Sequence, residues 1–168
     1  MWVYEAYGGG TAAVTPDGSP VEQEVTGLAA VEAMLNLEAP CEFANLFAGS
    51  GGYLIYVLPT VTDARRAEIV ELARNVAPEL PFGGFGDAVA SRAEATLLIQ
   101  EIQGLDPSLL GADFLGASMN LDGVVVADAF GPELDLSLDE IRAQLIDLLA
   151  YDPGAGLVIE EPNVAIGT

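Results

Sequence analysis

The sequence predicts an α+β fold: a mainly antiparallel sheet with four helices packed on it, in two similar hairpin–helix–strand halves. Three observations lead there. Four segments carry apolar residues at helical spacing, each with a capping residue in front or a proline or glycine behind. Six to eight short runs rich in branched and aromatic residues read as strands. Two Asp-Gly turns, Asp17-Gly18 and Asp122-Gly123, sit between such runs and mark hairpins.

Taken in order, Trp2 to Tyr7 reads as a strand, broken by Gly8-Gly9-Gly10. Thr11 to Thr15 and Val21 to Val25 flank Pro16-Asp17-Gly18-Ser19, where proline pre-sets φ and glycine accepts a positive one, so a hairpin is expected. Leu28 to Leu37 is helical, with Leu28, Val31 and Leu35 on one face, Thr26 as its cap and Pro40 as its stop. Cys41 to Phe47 fits either helix or strand. Gly49-Ser50-Gly51-Gly52 is a turn, and Tyr53 to Leu58 a strand stopped by Pro59. Asp63 to Val76 is a helix capped by Thr62. It carries Arg65, Arg66 and Arg74 among Asp63, Glu68 and Glu71, a pattern of local ion pairs.

Pro78 to Gly86 reads as a loop and as the boundary between halves, because prolines and glycines interleave with Phe82 and Phe85. Ser91 to Ile102 is the third helix, with a capping-box spacing from Ser91 to Glu94. Asp106-Pro107 starts a short helical turn. Phe114 to Asn120 and Val124 to Phe130 flank Leu121-Asp122-Gly123 as a hairpin. Val124-Val125-Val126-Ala127 does not alternate with polar residues, so that strand is expected to be buried on both faces. Ser137 to Ala150 is the fourth helix, with a capping box from Ser137 to Glu140. Leu157 to Ile159 is a strand, and Val164 to Ile166 another after Pro162. Strand, Asp-Gly turn, strand, helix, strand thus occurs twice, without residue-level alignment. The expectation is one domain over 1–168, with sub-halves at 1–80 and 87–168.

Composition bounds the function. With 168 residues, 51 % of them hydrophobic and 18 % charged, the chain buries roughly 70 % of its unfolded surface on folding, yet has little charge left to cover itself. It carries 26 acidic residues against five arginines, with no lysine and no histidine, for a net charge of −21. Phosphate backbones and anionic membranes are repelled by such a chain, so no direct nucleic-acid or membrane partner is expected. The acidity itself fits a high-salt cytoplasm, a basic partner surface, or avoidance of nucleic acid by a crowded structural protein. Cys41 is alone, so no internal disulfide forms, and a small buried thiol is expected there. Met1 to Glu5 lacks the basic start and apolar run of a secretion signal, and no stretch is long enough to span a membrane. The expected location is the cytoplasm or a virion.

Without histidine or lysine, Ser–His–Asp, Cys–His, Schiff-base, P-loop and common zinc chemistries are excluded. Carboxylates, helped by Tyr or Arg, are what remains. The acid pairs Glu22/Glu24, Asp139/Glu140 and Glu160/Glu161 read as helix-start or solvated residues, and no loop has the ligand pattern of a calcium site. No cofactor, metal or catalytic residue is therefore expected. Glu42-Phe43-Ala44-Asn45-Leu46-Phe47-Ala48-Gly49 is similar to the active-site pattern of the CheC/CheX phosphatases of chemotaxis. In that family a helix presents the acid and the amide to a phosphoryl-aspartate, so the resemblance implies Glu42 and Asn45 as a catalytic pair on a helix. It covers about eight residues. The family's helix continues past the glycine, whereas here Gly49 to Gly52 break the chain, and the motif is not repeated.

The aromatic residues Trp2, Tyr4 and Tyr7, with Phe82 and Phe85, form the candidate interface, since aromatic side chains anchor protein contacts or pack across strands. The functional expectation is a non-enzymatic structural or assembly subunit of a larger complex, a phage virion component or another multimer, whose partners are copies of itself or other subunits. The alternative is an acidic inhibitor or immunity protein docking on a basic partner. A carboxylate enzyme of the CheC/CheX kind comes third.

Overall fold

A computed structural model describes residues 19–131 and 134–161, with side chains of the first helix from residue 26 onward. The fold is α+β, with four helices and two hairpins among the described residues. The strands lie in two three-stranded sheets, each joining one antiparallel pair to one parallel pair. The chain clusters into two compact units. One runs to Ala93 and includes Leu121–Gly123, and the other takes Glu94–Asn120 and the residues from Val124 onward.

The first unit holds α1 (Ser19–Glu38), β1 (Phe43–Gly49), β2 (Gly52–Val57), α2 (Asp63–Val76) and β3 (Phe82–Asp87). Leu28, Val31 and Leu35 of α1 meet Ile69 and Ala73 of α2 over Phe43, Leu46, Ile55 and Val57 of the sheet. The tight turn Ser50-Gly51 joins β1 to β2, and α2 carries the chain back so that β3 runs parallel to β2. Thr62 Oγ1 accepts from the Arg65 N–H at 3.3 Å, which is the cap its sequence promised. At the start of β3 the backbones of Gly52 and Gly83 touch. A Cβ on Gly52 would lie 2.4 Å from the Pro81 carbonyl oxygen, and φ at Gly52 is 114°, so this crossing needs glycine.

The second unit repeats the order with α3 (Arg92–Gln103, its first two residues falling in the first unit), β4 (Phe114–Met119), β5 (Val125–Phe130), α4 (Leu138–Leu149) and β6 (Leu157–Glu160). Ile99, Ile102, Ile141 and Leu145 pack over Leu115, Val125, Ala127 and Leu157. Asp106 accepts from the Ser108 N–H at 3.0 Å and starts the short 3-10 turn Pro107–Leu110. In the hairpin turn, Asn120 N–H donates to the Val124 carbonyl and Asn120 Oδ1 accepts from the Val124 N–H. Ser137 and Glu140 cap each other reciprocally at the start of α4.

Several expectations change. Val21 to Val25 belongs to α1 rather than to a hairpin strand. Val21 and Val25 are four apart, so the alternation that suggests a strand also makes a helical stripe, and Ser19-Pro20 is a good helix start. Thr26, expected as a cap, is consequently inside that helix. The first hairpin turns at Ser50-Gly51, so the repeat pairs this turn, not Asp17-Gly18, with Asp122-Gly123. Residues 82–87, expected in a loop, form β3: parallel pairing uses backbone groups that glycine supplies as well as any residue. Cys41, expected buried, is exposed in the turn between α1 and β1. The expected strands over Trp2–Tyr7, Thr11–Thr15 and Val164–Ile166 lie outside the described residues.

Candidate functional site

The Glu42/Asn45 pair lies at the start of the first sheet, with Asn45 on a strand rather than on a helix. Each side chain is held by an arginine. Arg65 Nε and Nη2 donate to the Glu42 carboxylate at 3.0 and 2.9 Å, and Arg65 also reaches Glu68 and the Glu38 carbonyl. The Glu42 hydrogen bonds hold the Arg65 guanidinium still further above its ordinary range. Asn45 is 2 % exposed, and its Oδ1 accepts from Arg92 Nη2 at 2.9 Å and from the Leu46 N–H at 3.1 Å. Arg92 also donates to the Ala44 carbonyl at 2.7 Å, pairs with Glu32 of α1 at 2.9 Å, and sits 5.2 Å from the Phe43 ring centre. This is a buried polar network with its acceptors engaged, and it closes the edge of β1.

The other carboxylates are spread. Glu140 is in its capping box, where Ser137's N–H and hydroxyl hold its carboxyl below the ordinary range. Asp106 is lowered likewise by Ser108. Glu101 accepts from the Tyr151 hydroxyl at 2.5 Å, and burial together with that bond pushes the phenol up to about 12. The Tyr53 hydroxyl is the one buried side-chain polar atom without a partner among the described residues. Among those residues, no three of His, Cys, Asp and Glu converge as a metal would need, and no helix is long and apolar enough to cross a membrane.

Of the candidate interface residues, Trp2, Tyr4 and Tyr7 lie outside the described residues. Phe82 and Phe85 are on β3, half-buried against the first core. Phe82 contacts the Tyr53 and Phe85 rings edge-on, at 5.6 and 5.1 Å between centres, and Arg66 lies 5.3 Å from the Phe85 centre. Their packing is thus largely internal to the unit.

A more open apolar surface lies on the second sheet. Residues alternate between its faces. Leu115, Met119, Val125, Ala127, Ala129, Leu157 and Ile159 point into the core, and their neighbours point away. The outward residues form three rows: Phe114 beside Phe130, then Gly116–Asp128–Glu160, then Ser118–Val126–Val158. Phe114 is 54 % exposed, Phe130 46 % and Val158 42 %. The Phe114 ring lies close over Gly116, where an added Cβ would meet it and the Asp128 carboxylate. The expectation that the Val124–Ala127 strand is covered on both faces therefore holds for one face: Val126 and Asp128 are partly exposed, and Phe130 is open. Sequence reasoning missed this surface, although the non-alternating valines were its signal. A strand apolar on both sides implies two covers, and the described residues of the second unit supply one.

Compared with known proteins, the chain matches no family model and no curated protein.

Proposed function

We propose that the protein is a non-enzymatic assembly subunit, held to other subunits of a larger complex through apolar sheet surface. The observation that carries this reading is the outward face of the second sheet, where Phe114 and Phe130 in one row and Val158 in another stand exposed on either side of the Asp128–Glu160 row. Isolated exposed apolar residues are ordinary, but a clustered set on one rigid sheet marks a contact surface. The low charged content of the chain points the same way. The experiment is chemical crosslinking of the tagged chain in its source cell, followed by light scattering of the purified complex. Specific complexes larger than the 17.4 kDa chain are expected. A monodisperse monomer that takes no partner removes the reading.

A second reading, an acidic inhibitor docking on a basic partner, is favoured by a separate observation. Arg65, Arg74, Arg92 and Arg142 each pair with a carboxylate of this chain, and Arg66 is held by the Val61 carbonyl and the Phe85 ring. Each cation is thus engaged within the chain, although Arg74 stays 57 % exposed, while acids outnumber the arginines, which suits electrostatic steering toward a basic surface. Binding that keeps its strength as salt is raised would exclude it.

A further inference from the structure

We infer that the outward face of the second sheet receives a basic amphipathic helix from a partner, and not a second copy of this chain. The inference rests on the assembly reading above and names the occupant of that surface.

The rows set the chemistry. Asp128 and Glu160 lie side by side in the middle row, between the Phe114/Phe130 pair and the Val126/Val158 pair. The outward positions of the three strands include no cation, and the chain's five arginines are engaged elsewhere in it, Arg142 with Asp152 and the Gly154 carbonyl. In a two-fold contact each patch meets itself, so Asp128 and Glu160 would meet either apolar side chains or one another. Both outcomes bury unpaired carboxylates, and the net charge of −21 on each copy adds repulsion. A partner that satisfies this face must bring cations to the middle row and apolar side chains to the outer two.

The dimensions set the shape. Three strands about 4.8 Å apart make a strip roughly 10 Å wide, the diameter of one helix. Same-face residues along a strand recur about every 6.8 Å, and helix residues four apart rise about 6 Å, so the two repeats run nearly in step over three rows. A helix with an apolar residue, a Lys or Arg four positions on, and another apolar residue four further on places its side chains row for row. The footprint is far below that of a permanent interface, so the contact is exchangeable unless other surfaces join it.

The test is an NMR titration of the full chain with a synthetic helical peptide carrying Leu, Arg and Leu at successive fourth positions, alongside the same peptide with Glu for Arg. Amide shifts confined to Phe114, Val126, Asp128, Phe130 and Val158 are expected with the Arg peptide only. Affinity should fall about tenfold or more in Phe130→Ser and in Val158→Ser. Asp128→Asn should weaken binding and flatten its salt dependence, whereas Asp147→Asn, on the exposed side of α4, should leave both unchanged. Unchanged thermal melts establish that the variants are folded. Shifts elsewhere, or equal binding by Phe130→Ser, overturn the inference, as does a concentration-dependent dimer that Phe130→Ser dissolves. The assembly reading survives any of these if crosslinks to a partner persist on other residues, and falls only if no complex forms at all.

Discussion

The two units follow the same order of helix, hairpin, helix and parallel strand, yet finish their sheets differently. In the first, Arg92 lies against the edge strand β1, donates to the Ala44 carbonyl, and is 14 % exposed beside Glu32 at 15 %. Asn45, which belongs to the outward set of that sheet, is buried by the same network. In the second, Arg142 donates to the Leu157 carbonyl on the edge strand β6, but its partner Asp152 is 60 % exposed. The outward residues there are Phe114, Phe130 and Val158 rather than a satisfied amide. The first sheet has its outward amide bonded internally at Asn45, although Phe47 on the same face stays 37 % exposed, whereas the second sheet leaves two rings and a valine open. The same topology thus carries a bonded polar cluster in one unit and open rings in the other, and side chains alone make the distinction.

The largest effect should come from breaking the closure. Arg92→Met removes a guanidinium from Glu32 in a mostly buried site and takes one donor from Asn45 Oδ1 and one from the Ala44 carbonyl. A loss of about 2–4 kcal/mol is expected in urea unfolding. The matching change in the second unit, Arg142→Met, removes a half-exposed pair and one carbonyl contact, so a loss of about 1 kcal/mol or less is expected. Equal costs would mean that the two arginines do not differ in the way their burial suggests.

A smaller effect concerns the second unit's helix start. Ser137→Ala removes the α4 cap and should cost about 1 kcal/mol. It should also change the acid limb of stability. The Glu140 carboxyl is held low by Ser137, so its contribution is full above the ordinary glutamate pKa and fades as pH falls through the lowered folded value. The alanine variant keeps the backbone N–H of residue 137, the larger cause, and should lose only the hydroxyl's smaller share of that pH dependence, read from unfolding curves between about pH 2 and 5.

Smaller still, and of opposite sign, is Tyr53→Phe in the first unit. The hydroxyl is buried without a partner, and burial raises its pKa, with Arg74 opposing. Removing the oxygen should leave stability unchanged or raise it by up to about 1 kcal/mol. A clear loss would mean that the phenol has an acceptor after all. The smallest effect on folding belongs to Phe130→Ser, within about 0.5 kcal/mol, because the ring is nearly half exposed. A much larger loss would show that the outward face is part of the fold and not an available surface.

Much of this fold is readable in the chain because its signals are local. Thr62, Asp106 and Ser137 announce helix starts, and Leu121-Asp122-Gly123 announces a hairpin; each works through groups a few residues apart. The failures share the opposite property. Val21 to Val25 fits both periods, and its continuity with Leu28 to Leu37 in a single helix decides between them. Residues 82–87 are a strand because Gly52 and Gly83 let two distant backbones meet, which no local pattern encodes. Glu42 and Asn45 resemble a catalytic pair only until Arg65 and Arg92 arrive from far along the sequence. The outward face is half legible. Four consecutive apolar residues say that both sides of a strand are greasy, but register decides which neighbours complete the patch.

Arg92 and Arg142 have one more consequence. A sheet grows sideways by offering bare amides and carbonyls to a newcomer, and fibres form when identical chains accept the offer. Here a guanidinium occupies a carbonyl on an edge strand of each sheet, and a cation at that spot is awkward for a neighbouring backbone to displace. Along β1 and β6, one border of each sheet, these molecules are therefore poorly suited to zip up edge to edge, even though their sequence has none of the lysines that usually guard such borders.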